Sequence, residues 1–533
     1  MEEAKPTRYR ILVTGEILPE GLSLLEAEPD FDVDVKVGLP RQELLRILAP
    51  YHALITRSET AIDKELLDAG ANLRVIARGG VGLDNVDIDY ASLKGVAVMN
   101  TPGANTIAAV EHTIGLLLAL CRRIPHAHNS LRAGEWQRKK FLGTQLQGKT
   151  LGIIGLGRIG SRVATRMKAF EMHVIAYDPY VNVEKAEQLG VPLVEFEQLL
   201  RQSDIVTIHA PLTDETFHMI SHREINMMKD GAMLINAARG PIVDPEALYH
   251  ALTRGKLAGA AMDVFEEEPP KDRRLLELDN VVVTPHIGAN TVEAQVNVAV
   301  QLARQVIAAL KHGEYENSVN MPIASREEFL KLRPFLDLAE RIGRMQVQTV
   351  EGRIQAVSVE YYGEIANYVK PLTVAVLKGL LAPILREKVN YINAPYIADE
   401  RRIRVSQTRT FEPEDYTNLM RVHVRTDKQK QTVAGTLLGR SIPRIVEIDG
   451  YGLDVEPEGR FLIIKNYDRP GVIGKVGTIL GNANVNIAEW RLGRLRPNDL
   501  ALAVVKVDDP VPPEVIRQIE AVEQVVQVVP FEL

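Results

Sequence analysis

The sequence predicts an α/β protein built from several domains. Its 533 residues are too many for one hydrophobic core and predict about three or four domains. Short runs rich in Val and Ile alternate with helical patterns from residue 9 to residue 284, as they do in parallel sheets joined by helices. Apolar residues make up 46% and charged residues 25% of the chain, which is the composition of ordinary globular domains. We therefore expect several packed cores.

The first α/β region is predicted over residues 9 to 100. Its strand candidates are residues 11–13, 53–55, 73–76 and 96–98, and residues 41–48 have a helical pattern. A second series follows a long helical pattern over residues 106–121. Its six strand candidates are residues 151–154, 173–177, 205–208, 232–235, 259–264 and 281–284. Six such runs are typical of a doubly wound parallel sheet.

The remaining chain predicts two further units. Residues 291–312 form one long helical pattern, and residues 313–322 have the composition of a linker. A third domain is predicted over residues 321–456, with mixed patterns and no glycine-rich phosphate loop. Residues 457–533 predict a small βαββαβ module, with strands at 461–465, 485–492, 501–507 and 525–529 and helices at 471–480 and 513–520.

Composition argues against several classes of function. The net charge is -7, and the basic residues are scattered, so we expect no nucleic-acid partner. The only cysteine, Cys121, cannot form an intrachain disulfide or a cysteine zinc cluster, which predicts a reducing cytoplasm and no metal site. The amino terminus, MEEAKPTRYR, lacks the apolar core of a secretory signal. The apolar stretches are too short or too charged to span a bilayer, so no membrane role is expected.

A glycine-rich turn predicts the dinucleotide site. Residues 151–160, LGIIGLGRIG, place GxGxxG directly after an apolar strand and at the start of an amphipathic helix, which is the context that the motif requires. Gly155 permits a tight turn, Gly157 lets a pyrophosphate approach the backbone, and Gly160 lets helix and strand pack closely. The helix amino terminus supplies unpaired amides for phosphate. This pattern predicts a Rossmann-type domain.

An acid after the next strand indicates which dinucleotide binds. Asp178 lies about twenty residues beyond the turn, where a carboxylate accepts from the ribose hydroxyls of NAD. It would repel the 2′-phosphate of NADP, and the following Pro179 and Tyr180 offer no arginine to receive that group. Taken alone, Asp178 is equally explained as a solvated carboxylate at a strand end. Together with the turn, it predicts NAD.

Three later strand ends of this domain carry Arg239, Glu268 and His286. Ligands of open α/β sheets bind at the carboxyl ends of strands, so the three side chains are expected to converge. His286 suits a general acid/base because its ordinary pKa is near 6.5. Arg239 matches a carboxylate with its planar fork, and Glu268 can hold the histidine tautomer. Each residue alone also fits a structural role. Arg239 fits a donor of a loop salt bridge, Glu268 fits part of an acidic surface turn, and His286 fits a hydrogen-bonded histidine after a strand.

The blocks NAARGPIVD, DVFEEEP and TPHIG, with GLGRIG and HAPLT before them, resemble the D-2-hydroxyacid dehydrogenase family. The resemblance implies that Arg239 binds the substrate carboxylate, His286 is the acid/base and Glu268 supports it. It also implies a set of cofactor contacts beyond the three glycines and Asp178. These are Arg158, Ile159, His209, Ala210, Ala237, Ala238, Asp263, His286 and Gly288.

The same resemblance extends to the amino-terminal half through RSET, RGGVGLDNVD and NTPGAN. It implies a flavodoxin-like substrate domain, residues 1–100 and 288–320, into which the NAD-binding Rossmann domain, residues 101–287, is inserted. The implied substrate is D-3-phosphoglycerate, whose two anionic ends need more than one cation. The implied substrate-binding residues are Arg57, Ser58, Arg78, Gly80, Asn105, Arg138 and Arg239. Arg138 fits a solvated surface charge equally well.

The carboxyl-terminal half resembles the regulatory part of long family members. Residues 321–456 are similar to their α+β intervening domain through YYGEIA and VNYINAPYIADERRI, and residues 457–533 are similar to an ACT domain. In ACT domains a small ligand binds between modules of different subunits. Asn466, Asp468 and Asn486 occupy the matching positions, so L-serine is the implied effector and a dimer or tetramer the implied assembly. A purely oligomerising module is the alternative.

The resulting hypothesis is an oxidoreductase that converts D-3-phosphoglycerate to 3-phosphohydroxypyruvate with NAD, the first step of L-serine biosynthesis, under feedback by serine. One alternative within the same class is a glyoxylate or hydroxypyruvate reductase, which needs no phosphate cations. A second alternative is an NAD-sensing binding protein that resembles transcriptional corepressors of this superfamily. The intact set of Arg239, Glu268 and His286 favours an enzyme.

Overall fold

The structure is a computed structural model that describes residues 8–323, 326–385, 389–412, 415–439 and 441–533. The first seven residues, on which part of the signal-peptide prediction rests, lie outside the described residues. No helix in the described part of the chain is long and apolar enough to cross a membrane.

The amino-terminal sheet has five parallel strands in the order β2-β1-β3-β4-β5, the flavodoxin-like order that the sequence predicts. The strands are β1 (Tyr9–Val13), β2 (Phe31–Val35), β3 (Ala53–Thr56), β4 (Val75–Arg78) and β5 (Ala97–Met99), and the helices are α1 (Pro19–Glu26), α2 (Arg41–Ile47), α3 (Lys64–Ala69) and α4 (Ile88–Leu93). The sequence patterns missed β2. This edge strand reads FDVDV, and its alternating acids hide it because only one face is buried.

The second sheet has six parallel strands in the order β11-β10-β9-β8-β6-β7. The strands are β6 (Thr150–Ile154), β7 (His173–Tyr177), β8 (Ile205–Ile208), β9 (Ala232–Asn236), β10 (Leu257–Met262) and β11 (Val281–Val283). The helices are α5 (Thr106–Cys121), α6 (Ile124–Arg132), α7 (Gly160–Ala169), α8 (Val183–Leu189), α9 (Phe196–Gln202), α10 (His222–Met227) and α11 (Pro245–Thr253). A single parallel bridge joins Leu193 to Ala176, beyond β7. It occupies the position of a third Rossmann strand, so the doubly wound sheet is confirmed.

A long helix, α12 (Val292–His312), returns the chain to the first sheet. Its Leu302 and Val306 are fully buried in the same core as Ile11 and Val13. Gln305 of the same helix donates to the carbonyl of Asn100 at 3.1 Å. The first lobe is therefore assembled from both ends of the segment from residue 9 to residue 312, and the second sheet lies between them in the chain. We call these the substrate lobe and the NAD lobe, after the roles that the sequence resemblance implies.

The third unit is a mixed six-stranded sheet in the order β13-β12-β14-β15-β16-β17, in which only β12 and β13 are parallel. Its strands are β12 (Ile354–Gly363), β13 (Arg404–Thr410), β14 (Asn418–Thr426), β15 (Lys430–Leu438), β16 (Ile442–Ile448) and β17 (Tyr451–Val455), and its helices are α13 (Arg326–Thr349), α14 (Val369–Leu381) and α15 (Ala394–Glu400). The predicted α+β class is confirmed.

The fourth unit is an antiparallel four-stranded sheet in the order β19-β20-β18-β21. Its strands are β18 (Arg460–Tyr467), β19 (Ile487–Arg494), β20 (Leu500–Val507) and β21 (Val525–Glu532), with α16 (Val472–Asn482) and α17 (Pro513–Glu520) on one face. Phe461 and Phe531 on its other face belong to the core of the third unit. The βαββαβ prediction is confirmed. The predicted domain boundaries at residues 100, 287, 320 and 456 stay predictions.

Candidate active site

The glycine-rich turn follows β6, as predicted. Gly155 has φ +91°, and a Cβ there would lie 2.8 Å from the carbonyl carbon of His209. A Cβ on Gly160 would lie 2.0 Å from the carbonyl oxygen of Gly155, so neither position has room for a side chain. A Cβ on Gly157 would meet no heavy atom within 4 Å. Helix α7 begins here without a side-chain cap, and open space at a helix amino terminus fits a pyrophosphate.

Asp178 follows β7 and braces the same turn. Its Oδ2 accepts from the amide of Leu156 at 2.8 Å, while Oδ1 accepts from the amides of Tyr180 at 2.9 Å and Val181 at 3.1 Å. A carboxylate offers about four acceptor sites, so Oδ2 keeps one for a ribose hydroxyl. The acid that is predicted to select the cofactor is thus also a structural part of the glycine-rich turn.

The other predicted cofactor contacts lie at the carboxyl edge of the second sheet. Burial lowers the pKa of His209, after β8, to about 4, so its imidazole is neutral, and Nε2 lies 3.1 Å from Thr207 Oγ1. The turn after β9 is shaped by Asn236, whose Oδ1 accepts from the amide of Ala238 at 3.0 Å. The remaining predicted contacts also follow strand ends: Arg158 and Ile159 after β6, Ala210 after β8, Ala237 after β9, Asp263 after β10 and Gly288 after β11.

His286 and Glu268 meet directly. His286 Nδ1 donates to Glu268 Oε2 at 2.6 Å, and Glu268 Oε1 accepts from the amide of Phe265 at 3.0 Å. The hydrogen bond to Glu268 raises the pKa of His286, although burial opposes it. Burial alone would raise the pKa of Glu268, but its bonds from His286 and the Phe265 amide lower it. The pair therefore presents a carboxylate and an imidazole whose Nε2 is not engaged by Glu268.

A second carboxylate holds the histidine loop in place. Asp263, which is 1% exposed, accepts from Thr284 Oγ1 at 2.5 Å and from the amides of Ile287 at 2.9 Å and Gly288 at 2.8 Å. His112 Nε2, from α5, lies 3.1 Å from the same carboxylate. Burial would raise the pKa of Asp263, but the bonds from His112 and Thr284 lower it. Asp263 therefore positions the loop that carries His286. This role does not depend on a contact between Asp263 and a cofactor.

Arg239 lies in the turn after β9. Its Nε donates to Asp84 Oδ2, in the substrate lobe, at 3.1 Å, and its Nη1 donates to the carbonyl of Ala238 at 2.7 Å. Gly82 packs against the guanidinium, because a Cβ there would lie 2.1 Å from Nη2. The arginine thus joins the two lobes.

These groups line a cleft of about 760 Å³ between the lobes. Besides Arg239, Glu268 and His286, its wall includes the predicted substrate residues Arg57, Ser58, Arg78, Gly80 and Asn105. Arg57 Nη1 donates to the carbonyl of Glu16 at 3.2 Å. Burial lowers the pKa of Arg78, and the charges of Arg239 and Arg57 lower it further. Three guanidinium groups therefore face one cavity, which suits a ligand with two anionic ends.

Arg138 is the exception among the predicted substrate residues. It lies in a short 3-10 helix, Arg138–Phe141, whose residues are mostly exposed, and it is not part of the cleft wall. Its predicted role stays a prediction that the single chain does not support.

The structure adds Asp84, His112, Asn290 and Gln295 to the site. Asp84 belongs to the RGGVGLDNVD block, so that block could have indicated it. His112 sits in an apolar helix and had no such signal.

The predicted effector residues lie apart within the fourth unit. Asn466 Nδ2 donates to the carbonyl of Tyr467 at 2.8 Å, and Asp468 pairs with Arg494 at 3.2 Å. Asn486 Nδ2 donates to Asp508 Oδ2 at 2.6 Å. Strand β18 pairs Arg460 with Val507 and Tyr467 with Leu500, whereas β19 pairs Ile487 with Val507. Asn486 is therefore at the opposite end of the sheet from Asn466 and Asp468, roughly 20 Å away at ~3.3 Å per residue.

Family models match three parts of the chain. Residues 114–288 match the NAD-binding domain of D-isomer specific 2-hydroxyacid dehydrogenases. Residues 331–449 match the D-3-phosphoglycerate dehydrogenase intervening domain, and residues 460–524 match the ACT domain. The first match agrees with the glycine-rich turn and with Asp178, and NAD is the cofactor of this chain. No cluster of residues that could hold a metal ion is present among the described residues.

Full-length relatives are equally informative. D-3-phosphoglycerate dehydrogenase of Archaeoglobus fulgidus is 43% identical over 98% of this chain and 100% of its own. The enzyme of the same name from Bacillus subtilis is 39% identical over 98% of this chain and 99% of its own. A solved glyoxylate reductase from Paecilomyes thermophila is 31% identical, with a TM-score of 0.55, and covers 58% of this chain and 98% of its own. Because the match to the first two extends through all four units, the chain belongs to the D-3-phosphoglycerate dehydrogenases of the D-isomer specific 2-hydroxyacid dehydrogenase family.

Proposed function

We propose that the chain oxidises D-3-phosphoglycerate to 3-phosphohydroxypyruvate with NAD, the first step of L-serine biosynthesis. The observation that carries this proposal is the cleft in which the His286 and Glu268 pair faces three arginines, Arg57, Arg78 and Arg239. Relatives that match the whole chain bear the name of this activity.

The proton step is assigned to His286. Because Nδ1 donates its hydrogen to Glu268, a neutral imidazole has its lone pair on Nε2. Nε2 takes the proton of the substrate C2 hydroxyl, and the Glu268 carboxylate stabilises the imidazolium that forms. Bound NAD would supply the acceptor for the hydride that leaves C2. In the reverse direction the imidazolium returns the proton to the carbonyl oxygen.

The charged ends of the substrate are assigned to the arginines. Arg239 binds the carboxylate beside C2, because it lies in the same wall of the cleft as His286. Arg57 and Arg78, from the substrate lobe, bind the phosphate, with Ser58, Gly80 and Asn105 as polar neighbours. Two cations are reasonable for a phosphate, which carries up to two negative charges and offers three acceptor oxygens.

The cofactor is assigned to the carboxyl edge of the second sheet. The open space over Gly157 and the uncapped start of α7 receive the pyrophosphate, and the remaining acceptor site of Asp178 receives a ribose hydroxyl. A 2′-phosphate would meet the negative charge of Asp178, which supports NAD rather than NADP.

The test compares kcat/KM for D-3-phosphoglycerate and for unphosphorylated D-glycerate. We expect a strong preference for the phosphorylated substrate. Replacing Arg78→Met, which keeps the length of the side chain but removes its charge, should reduce that preference by about 10-fold to 100-fold, the value of a lost charged hydrogen bond. Arg46→Ala, an exposed arginine on α2 of the same lobe, is the control and should change nothing.

Each alternative function has its own outcome in this experiment. Equal efficiency with D-glycerate, or a preference for glyoxylate, would favour a glyoxylate or hydroxypyruvate reductase. NAD binding with no turnover of any 2-hydroxy acid would favour a sensing protein that recruits partners. Neither alternative explains two arginines opposite the carboxylate site.

Regulation by L-serine is a further part of the proposal. Asn466 and Asp468 lie at one end of the ACT sheet and Asn486 at the other, so one serine can contact all three positions only if two copies bring opposite ends of their sheets together. Gly471 starts α16 with φ +94° and without a side-chain cap, which leaves helix amides for a carboxylate. We therefore propose a dimer or tetramer, and a cytoplasmic location that agrees with the single buried Cys121.

A serine titration of the initial rate tests this part. We expect inhibition at millimolar serine and its loss in Asn486→Ala, while the basal rate and the mass measured by analytical ultracentrifugation stay the same. Full activity at high serine would leave the ACT module as an assembly device. A monomer at micromolar protein concentration would contradict the shared site.

A further inference from the structure

Asp84 and Arg239 form an ion pair across the cleft. Asp84 lies in the loop between β4 and α4 of the substrate lobe, whereas Arg239 lies after β9 of the NAD lobe. Asp84 Oδ2 accepts from Arg239 Nε at 3.1 Å, and the two residues are 155 positions apart in the chain. Both line the cavity that holds His286.

The guanidinium of Arg239 is held on three sides. Asp84 accepts a hydrogen bond from Nε, and the carbonyl of Ala238 accepts one from Nη1. Gly82 packs against Nη2. A guanidinium has five N–H donors, so three remain for a ligand, on Nη1 and Nη2. The free edge of the fork is therefore the terminal one.

The charge of Asp84 also matters to the cleft. Arg57, Arg78 and Arg239 are close enough that the charges of the other two lower the pKa of Arg78, and Asp84 acts in the opposite direction. That carboxylate therefore offsets part of the repulsion among the three cations. Asp84 is 57% exposed, so solvent screens its pair with Arg239 and limits its value.

We propose that Asp84 is a positioning residue for the substrate carboxylate. By holding Nε of Arg239 across the cleft, it turns the Nη1 and Nη2 edge toward the 2-hydroxy acid. This inference rests on the proposed function, in which Arg239 binds that carboxylate. It assigns to the substrate lobe a part in recognising the reacting end of the substrate, besides the phosphate end.

The test is a set of variants of the full-length chain, with kcat, KM and the Kd of NAD measured for each. Asp84→Ala should raise KM for D-3-phosphoglycerate by about fivefold, the upper range for an exposed pair. Its kcat and its Kd for NAD should stay the same. Asp84→Asn, which keeps an acceptor oxygen for Nε, should recover most of the loss. Asp89→Ala, at an exposed acid in the first turn of α4, is the matched control.

A double-mutant cycle separates positioning from a general structural role. Arg239→Met has no donor for Asp84, so adding Asp84→Ala to it should not raise KM further. An additional rise would mean that Asp84 acts through other groups, and the inference would be wrong. A fall of KM in Asp84→Ala would also overturn it, because Asp84 would then compete with the substrate. If the wild-type chain does not oxidise D-3-phosphoglycerate, the proposed function itself fails.

Discussion

Two contacts that the substrate lobe makes with neighbouring parts of the chain differ in kind. Toward the NAD lobe it presents Asp84, which is 57% exposed and pairs with Arg239. Toward the third unit it receives Ile392, which is 4% exposed and packs in the same core as Tyr9. Next to it, Asn390 Nδ2 donates to the carbonyl of Gly95 at 2.7 Å. The first contact leaves donors for a ligand, whereas the second buries an apolar side chain.

The two contacts indicate that different residues of this lobe contribute to catalysis and to stability. Exposed pairs are worth little to folding, so changes in the cleft should move kinetic constants and leave the free energy of unfolding unchanged. Burial of a branched apolar side chain is worth several kcal/mol, so changes at Ile392 should do the reverse. The following three predictions sharpen or break this division.

The largest effect is expected for His286→Ala. Loss of a general acid/base costs about 10²-fold to 10⁴-fold in rate, so kcat should fall by that factor. The side chain is 51% exposed, and we expect the melting temperature to stay the same. The Kd of NAD, measured beside it, shows whether the ring also contacts the cofactor. His128→Ala, on an exposed position of α6, is the control. A variant that retained wild-type kcat would remove His286 from the proton step.

The second prediction concerns Ile392→Ala. Removal of a buried isoleucine side chain costs about 2–5 kcal/mol of unfolding free energy, which should appear in the denaturant transition that includes the substrate lobe. Without denaturant, kcat and KM should match the wild type. Ile384→Ala, at a residue of the same unit that is 52% exposed, should change stability by less than about 0.5 kcal/mol. Altered KM with unchanged stability would break the comparison.

The smallest effect is a displacement of the pH profile in Glu268→Gln. Oxidation needs a neutral imidazole, so kcat/KM falls as the pH drops through the pKa of His286. The hydrogen bond to the Glu268 carboxylate is the main cause that raises this pKa. Its removal should therefore move the acidic limb of kcat/KM for D-3-phosphoglycerate to lower pH. An acidic limb at the same pH as in the wild type would mean that a group other than His286 causes the fall of kcat/KM.

Much of the fold was predictable because its signals are local. A continuous apolar run indicates a buried parallel strand, and GxGxxG between strand and helix indicates a turn that needs glycine at Gly155 and Gly160. Strand β2 was missed because its alternating FDVDV pattern belongs to an edge strand with one exposed face. Within the site, Arg239, Glu268 and His286 were predicted from the ends of strands that a parallel sheet brings to one edge.

The sequence by itself determined the four units, the cofactor turn and the groups that carry the chemistry, because each depends on the conformation or periodicity of a contiguous segment. Only the tertiary structure decided that Asp84 holds Arg239, that Asp263 and His112 brace the His286 loop, and that Ile392 fills the core of another lobe. It likewise placed Asn486 away from Asn466 in one module. The physical reason is that such contacts join distant segments, so they depend on how complete sheets and helices pack.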